Sequence, residues 1–173
     1  MPLIAITGTP GTGKTSVSDE LRRRGYSVID IGAHMREHGL LGARDAGRDT
    51  FEVDLDMLNS SLEMYADSEE TIFMESHLAH MLDCSLVVVL RCSPKVLASR
   101  LAERGYGRDK IAENVQAEIL DVILCEAADS DIPVYEIDCT DAPVGESADV
   151  VVDIINGRGD DHLPGRTDWT GEM

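Results

Sequence analysis

Read only as apolar and polar positions, the chain alternates between two periods. Five short, nearly unbroken apolar runs, "PLIAIT", "YSVIDI", "TIFMES", "SLVVVLRC" and "PVYEIDC", predict strands. Runs this continuous and this rich in β-branched residues belong to strands covered on both faces, as in a parallel sheet. Between them, apolar residues recur at helical spacing. Gly13 to Arg24 reads as a first helix, and "LDMLNSSLEMYA" sets Leu55, Leu58, Leu62 and Met64 or Tyr65 on one face. "SPKVLASRLAERG" carries Ser93 as an N-cap, Pro94 at the first helical position and a stop at Gly105. "DKIAENVQAEILDVILCEAAD" has the longest helical signal, with Ile111, Val115, Ile119, Val122 or Ile123 and Ala127 in phase, and "SADVVVDIIN" predicts a closing helix. In "GAHMREHGLLGARDAGRDTFEVD" glycines interrupt the helical pattern.

Strands that alternate with helices require crossovers, so the expected fold is α/β, a parallel sheet with helices on both faces. No repeat or domain boundary interrupts residues 1–156, and the polar, Gly- and Asp-rich stretch 157–173 is predicted to be a mobile tail. In an open sheet of this kind the site is expected at the carboxyl ends of the strands.

Composition narrows the picture. A length of 173 residues suits one domain, and with 43% hydrophobic but only 4% aromatic residues its core must be aliphatic. A formal net charge of −18 repels nucleic acid phosphates and argues against direct DNA binding. Lysine occurs only at Lys14, Lys95 and Lys110; an acidic, lysine-poor surface suits a salt-rich medium in which self-repulsion is screened. No apolar run is long enough to span a membrane and no leader pattern opens the chain, so a cytoplasmic protein is expected. Cys84, Cys92, Cys125 and Cys139 form no close pair, and His77 and His80 lack further partners at ligand spacing, so neither a disulfide framework nor a zinc site is predicted.

The chemistry sits near the amino end. Gly8-Thr9-Pro10-Gly11-Thr12-Gly13-Lys14-Thr15 follows an apolar strand and opens a helix. This G-x-x-x-x-G-K-[ST] pattern lets backbone N–H groups converge on phosphate oxygens, sends Lys14 to the β- and γ-phosphates and offers the Thr15 hydroxyl to Mg²⁺. Glu75, ending the strand "TIFME", is placed to reach the metal shell directly or through water, with Asp30 at the end of "SVID" as the alternative and a solvated strand end as the plainer reading. His77 is a candidate to orient an attacking group, or else a capping or core residue. Arg100, Arg104 and Arg108 gather around "ERGYGR" and Arg36 follows strand two; arginines there could neutralise phosphoryl charge, or pair with neighbours such as Glu103 and Asp109. A guanine-reading N-K-x-D motif is absent.

Together, "GTPGTGKT", "VIDIGAHMRE", "ESH", "VVVLRCSP" and "LAERGYGRDKIAENVQAEI" resemble the adenylate kinase isoenzyme 6 family over about residues 3–156. The resemblance implies a P-loop kinase fold with a five-stranded parallel sheet, a monophosphate-binding insert at about Val28 to Phe51 and a very short lid at about 103–113. It implies transfer of the γ-phosphoryl group of ATP to AMP with Mg²⁺, a slower ATPase activity, and a link to small ribosomal subunit maturation and rRNA processing through a platform ribosomal protein. Gly11, Gly13, Lys14, Thr15 and Ser16 match positions around the ATP phosphates, Arg104 matches the lid, and Arg36, Arg100 and Arg108 are the candidate substrate contacts. Glu75 replaces the Asp of eukaryotic members, and His77 matches their histidine two residues on. A nucleotide-switched assembly ATPase and a kinase for another nucleoside monophosphate are the alternatives.

Overall fold

The computed structural model describes residues 3–47 and 50–172. The order is β1 (Leu3–Thr7), α1 (Lys14–Arg23), β2 (Ser27–Asp30), α2 (Ile31–Glu37), β3 (Leu41–Asp45), β4 (Thr50–Val53), α3 (Leu55–Ala66), β5 (Ile72–Glu75), β6 (Leu86–Arg91), α4 (Pro94–Glu103), α5 (Arg108–Ile119), α6 (Val122–Ala128), β7 (Val134–Asp138) and α7 (Val144–Ile155). The five predicted strands are the five strands of one parallel sheet, in the order β2-β5-β1-β6-β7. The two strands that lie either side of β1, β5 and β6, come much later in the chain, so β1 ends at the centre of the sheet's carboxyl edge.

Strand periodicity splits the core in two. Leu3 and Ala5 of β1 join Leu58, Leu62, Met74, Val87 and Leu124 on one face, while Ile4 and Ile6 join Val17, Leu21, Phe73, Val88 and Val151 on the other. Full burial of such an aliphatic side chain stabilises by about 1.5–3 kcal/mol, which is why an aromatic-poor chain still closes a core. A third cluster, Cys92, Leu97 and Leu101 with Tyr106, Ile111 and Val115, packs α4 against α5 around the short Gly105–Gly107 connection.

Three expectations are corrected. The glycine-broken stretch after β2 contains α2 and an antiparallel β3–β4 hairpin, paired at Leu41–Val53 and Arg44–Phe51, and its exposed strands carry too few apolar residues to show a period. Within the predicted insert, positions 48 and 49 lie outside the described residues, as do residues 1 and 2 and the last residue of the tail. The single long helix is instead α5 and α6, broken at Asp121, whose φ of 53° is left-handed. A buried arginine causes the break: Arg91 Nη2 donates to the Glu118 carbonyl at 3.2 Å and to the Asp121 carboxylate. The segment after Asn156 lies along β7 in short 3-10 turns, with the Arg166 and Thr167 amides on Glu136. Helix α7 begins at Val144, ahead of its predicted start. No helix among the described residues is long and apolar enough to cross a membrane.

Candidate active site

The loop from Gly8 to Gly13 leaves β1 and turns into α1. At Gly8, with φ 144°, a Cβ would lie 2.5 Å from the Leu90 carbonyl oxygen, so only glycine lets the loop pass β6 at this height. Gly13, with φ 110°, is the N-cap of α1, and a Cβ there would meet open space. Thr12 ties the loop to itself, its amide and hydroxyl bonding the Thr9 carbonyl at 3.2 and 2.9 Å. The first amides of α1 and the positive end of its dipole therefore face an open cleft that suits an anion.

Lys14 is buried, with Nζ donating to the Gly8 and Thr9 carbonyls at 2.9 and 3.2 Å. Burial lowers its pKa to about 8; the negative Glu75 and Glu118 work against that shift and Arg104 adds to it. Glu75, Arg104 and Glu118 are thus the charges that act on this ammonium group.

Glu75 ends β5 in register with Asp30 of β2. It is buried, and burial raises its pKa against the pull of Lys14. Among the described residues no donor bonds its carboxylate. Asp30 serves the fold instead, since one of its oxygens caps α2 by accepting from the Ala33 amide at 2.9 Å. Thr15 and Ser16 stand exposed in the first turn of α1. A hydroxyl, an unbonded carboxylate and an open cleft are the hard oxygen donors and water access that Mg²⁺ takes, so the residues fit this ion. No compact group of three or more metal-ligating side chains occurs among the described residues.

His77 follows β5 at the rim. The ring is exposed, but partial loss of water and then the charges of Lys14, His80 and Lys110 lower its pKa, so it is neutral near pH 7. His80 is instead a satisfied interior residue, bonding Thr7 Oγ1 and Glu126 at 3.0 Å each.

Of the candidate arginines, Arg36, Arg104 and Arg108 are exposed and, like Arg100, form no ion pair among the described residues. The pairing with Glu103 or Asp109 that sequence allowed is not made. In so acidic a chain, four arginines without carboxylate partners are a conspicuous reserve of positive charge. Arg100 bonds backbone: Nη1 donates to Gly11 at 3.3 Å and Nη2 to the Cys139 and Thr140 carbonyls at 3.1 Å. It braces the loop against the segment after β7. Arg36 lies on the last turn of α2 and Arg108 opens α5.

A cleft of about 220 Å³ runs between Gly11–Gly13, Ser16 and Val17 on one side and Arg100 and Arg104 on another. Its third wall is Cys139, Ala142, Val144 and Ser147, residues that sequence reading missed. The only available signal was their place after the last strand, where an open sheet puts its site. Also missed were Arg91 and Glu118, which read as a strand end and a helix surface.

Residues 4–121 match the AAA_18 family model, described as an AAA domain. A Methanocaldococcus jannaschii protein named "Putative adenylate kinase" is 40% identical over 168 residues, 96% of this chain and 92% of that protein. One of the same name from Archaeoglobus fulgidus is 40% identical over 174 residues, covering 99% and 93%. Among solved structures, shikimate kinase from Acinetobacter baumannii superposes with a TM-score of 0.60 at 13% identity, over 91% of this chain and 94% of that one. Deoxyadenosine kinase from M. mycoides with bound dATP gives 0.55 at 18%, over 90% and 100%. At these identities the two structures establish the fold, that of P-loop kinases.

Proposed function

Because the chain belongs to the AAA_18 family, and to one family with the archaeal proteins just named, we propose that it is a nucleoside monophosphate kinase that moves the γ-phosphoryl group of MgATP to AMP, yielding two ADP. The observation that supports this reading is the cleft in which Arg104, unpaired with any carboxylate among the described residues, faces Gly11–Gly13 and Ser16 of the loop that carries the buried Lys14. The relatives' names support the acceptor.

In this reading the polyphosphate of ATP lies on the amides of Gly11, Gly13, Lys14, Thr15 and Ser16, and the Lys14 ammonium turns from its own loop carbonyls to the β- and γ-oxygens. Thr15 and Glu75 hold Mg²⁺, which when bound neutralises charge on the β- and γ-phosphates. AMP lies under α2 and the hairpin, oriented by Arg36, with Arg108 at its edge, while Arg100 stays on the carbonyls of Gly11, Cys139 and Thr140 and braces the loop. An oxygen of its phosphate attacks the γ-phosphorus as the bond to the β-bridging oxygen breaks, and Arg104 and Lys14 offset the charge that spreads over the moving group. His77, neutral, orients the acceptor. No covalent intermediate is required, since positioning and electrostatics supply the rate.

Only residues 104–107 separate α4 from α5, too few to seal the cleft, so water competes with AMP and slow ATP hydrolysis accompanies transfer. The −18 charge suits a basic partner such as the platform ribosomal protein that the resemblance implies. Product analysis with MgATP, with and without AMP, is the test: ADP formation rises at least about tenfold with AMP, a ratio set by general transfer-over-hydrolysis discrimination. ADP made at one rate in both would leave an ATPase in place of a kinase.

The lowered pKa of Lys14 adds a check. Its ammonium is lost as pH rises through about 8 in the empty protein. Polyphosphate favours the charged form and raises that value, so binding near pH 8.5 takes up about half a proton or more. Calorimetry in buffers of different ionisation enthalpy reads this number, which falls toward zero at about pH 6, where Lys14 is already charged in the empty protein.

A further inference from the structure

An unbroken line of buried polar contacts joins the phosphate loop to the C-terminal segment. Thr9 Oγ1 donates to Glu118 Oε2 at 2.6 Å, and Glu118 Oε1 accepts from Arg91 Nε at 2.8 Å and from the Cys92 amide at 3.1 Å. Arg91 Nη1 donates to Glu136 Oε2 at 2.9 Å. Glu136 Oε1 then accepts the Arg166 and Thr167 amides at 2.5 and 2.8 Å. Arg91 is 1% exposed, and Glu118 and Glu136 are 3% exposed each.

The charge balance makes this line tense in a useful way. One guanidinium serves three carboxylates, because Asp121 also bonds Arg91. The remaining negative charge is met by neutral donors: the Cys92 amide, the Thr9 hydroxyl at one end and the two tail amides at the other. In a low-dielectric interior each of these bonds strengthens its neighbours, and an unmet carboxylate is costly. If the tail amides leave, Glu136 draws harder on Arg91 and Glu118 loses part of its partner. Glu118 then holds Thr9 differently, and the Thr9 carbonyl is where Lys14 and Thr12 are anchored.

A second observation points the same way. The segment walls a cavity of about 510 Å³ with β7 and α7, and Ala142 and Ser147 line both that cavity and the cleft above the phosphate loop.

We infer that Glu118 is a positioning residue for the phosphate loop, acting through Thr9, and that docking of the segment 157–172 and occupancy of the loop favour one another through Arg91 and Glu136. This rests on the reading of the loop as a nucleotide site. Coupling between two sites is reciprocal, so each direction has its own test in the full-length protein. Gly159 lies where an added Cβ would come within 2.5 Å of the Tyr135 ring, so Gly159→Ala forces the segment and that ring apart at a point away from the cleft. It is expected to weaken MgATP binding about fivefold or more by calorimetry. In the other direction, saturating MgATP slows amide exchange over residues 160–172 by a similar factor in the wild type. Thr9→Val, which keeps the shape but loses the donor, abolishes that slowing, and Thr9→Ser restores it. Unchanged affinity in Gly159→Ala, or full slowing in Thr9→Val, overturns the coupling while leaving nucleotide binding intact. No MgATP binding by the wild type removes the nucleotide reading, and the coupling with it.

Discussion

Lys14→Ala lowers the rate of ADP formation by about a thousandfold or more while the protein remains folded. The magnitude follows from what the ammonium does in a loose phosphoryl-transfer transition state, where charge spread over the γ-oxygens is met by preorganised donors; removal of one such donor costs about 10²–10³ in rate, and a full charge costs more. The fold should survive because the bonds lost are few and local. Among the described residues Nζ bonds only the Gly8 and Thr9 carbonyls, and Thr9 keeps the Thr12 amide and hydroxyl. Removing Lys14 also relieves the burial that lowers its own pKa. Initial rates alongside thermal denaturation separate the two effects. A variant that retains a tenth or more of the wild-type rate contradicts the assignment of the loop.

Arg91→Met destabilises the protein by about 3–5 kcal/mol, the range for leaving buried partners of an ion pair uncompensated. For a chain of this size that lowers Tm by roughly 10 °C. Methionine approximates the length of the side chain but leaves Glu118 and Glu136 buried without their cation, and strips the Glu118 carbonyl of the bond that ends α5. Adding Glu118→Gln and Glu136→Gln to Arg91→Met removes the stranded charges and should recover part of the loss. Urea unfolding of the three proteins measures both changes; a loss under about 1 kcal/mol for the single variant contradicts a tightly coupled network.

How much of this was legible in the sequence depends on the range of the forces involved. The parallel sheet and its order of elements came from local signals, since β-branched runs and the Ser93-Pro94 start report their own conformation. The phosphate loop was legible for the same reason: glycines at Gly8 and Gly13 answer a backbone requirement that neighbouring residues impose. What stayed hidden depends on partners distant in sequence. Arg91 looks like the end of a strand until the fold brings Glu118, Asp121 and Glu136 to it, and its grip then breaks a helix that periodicity alone would continue. The tail's polar composition likewise gave no sign that its amides bond a buried carboxylate or that Gly159 packs on Tyr135. Arg100 was grouped with the charge-neutralising arginines on helical spacing, and the structure shows its guanidinium on three backbone carbonyls.

The most direct test of the central claim is equilibrium titration of the wild-type protein with MgATP, by calorimetry at two temperatures. Saturable binding at one site per chain, lost or strongly weakened in Lys14→Ala, is the expected result. A folded wild-type protein that shows no binding heat at either temperature contradicts the account.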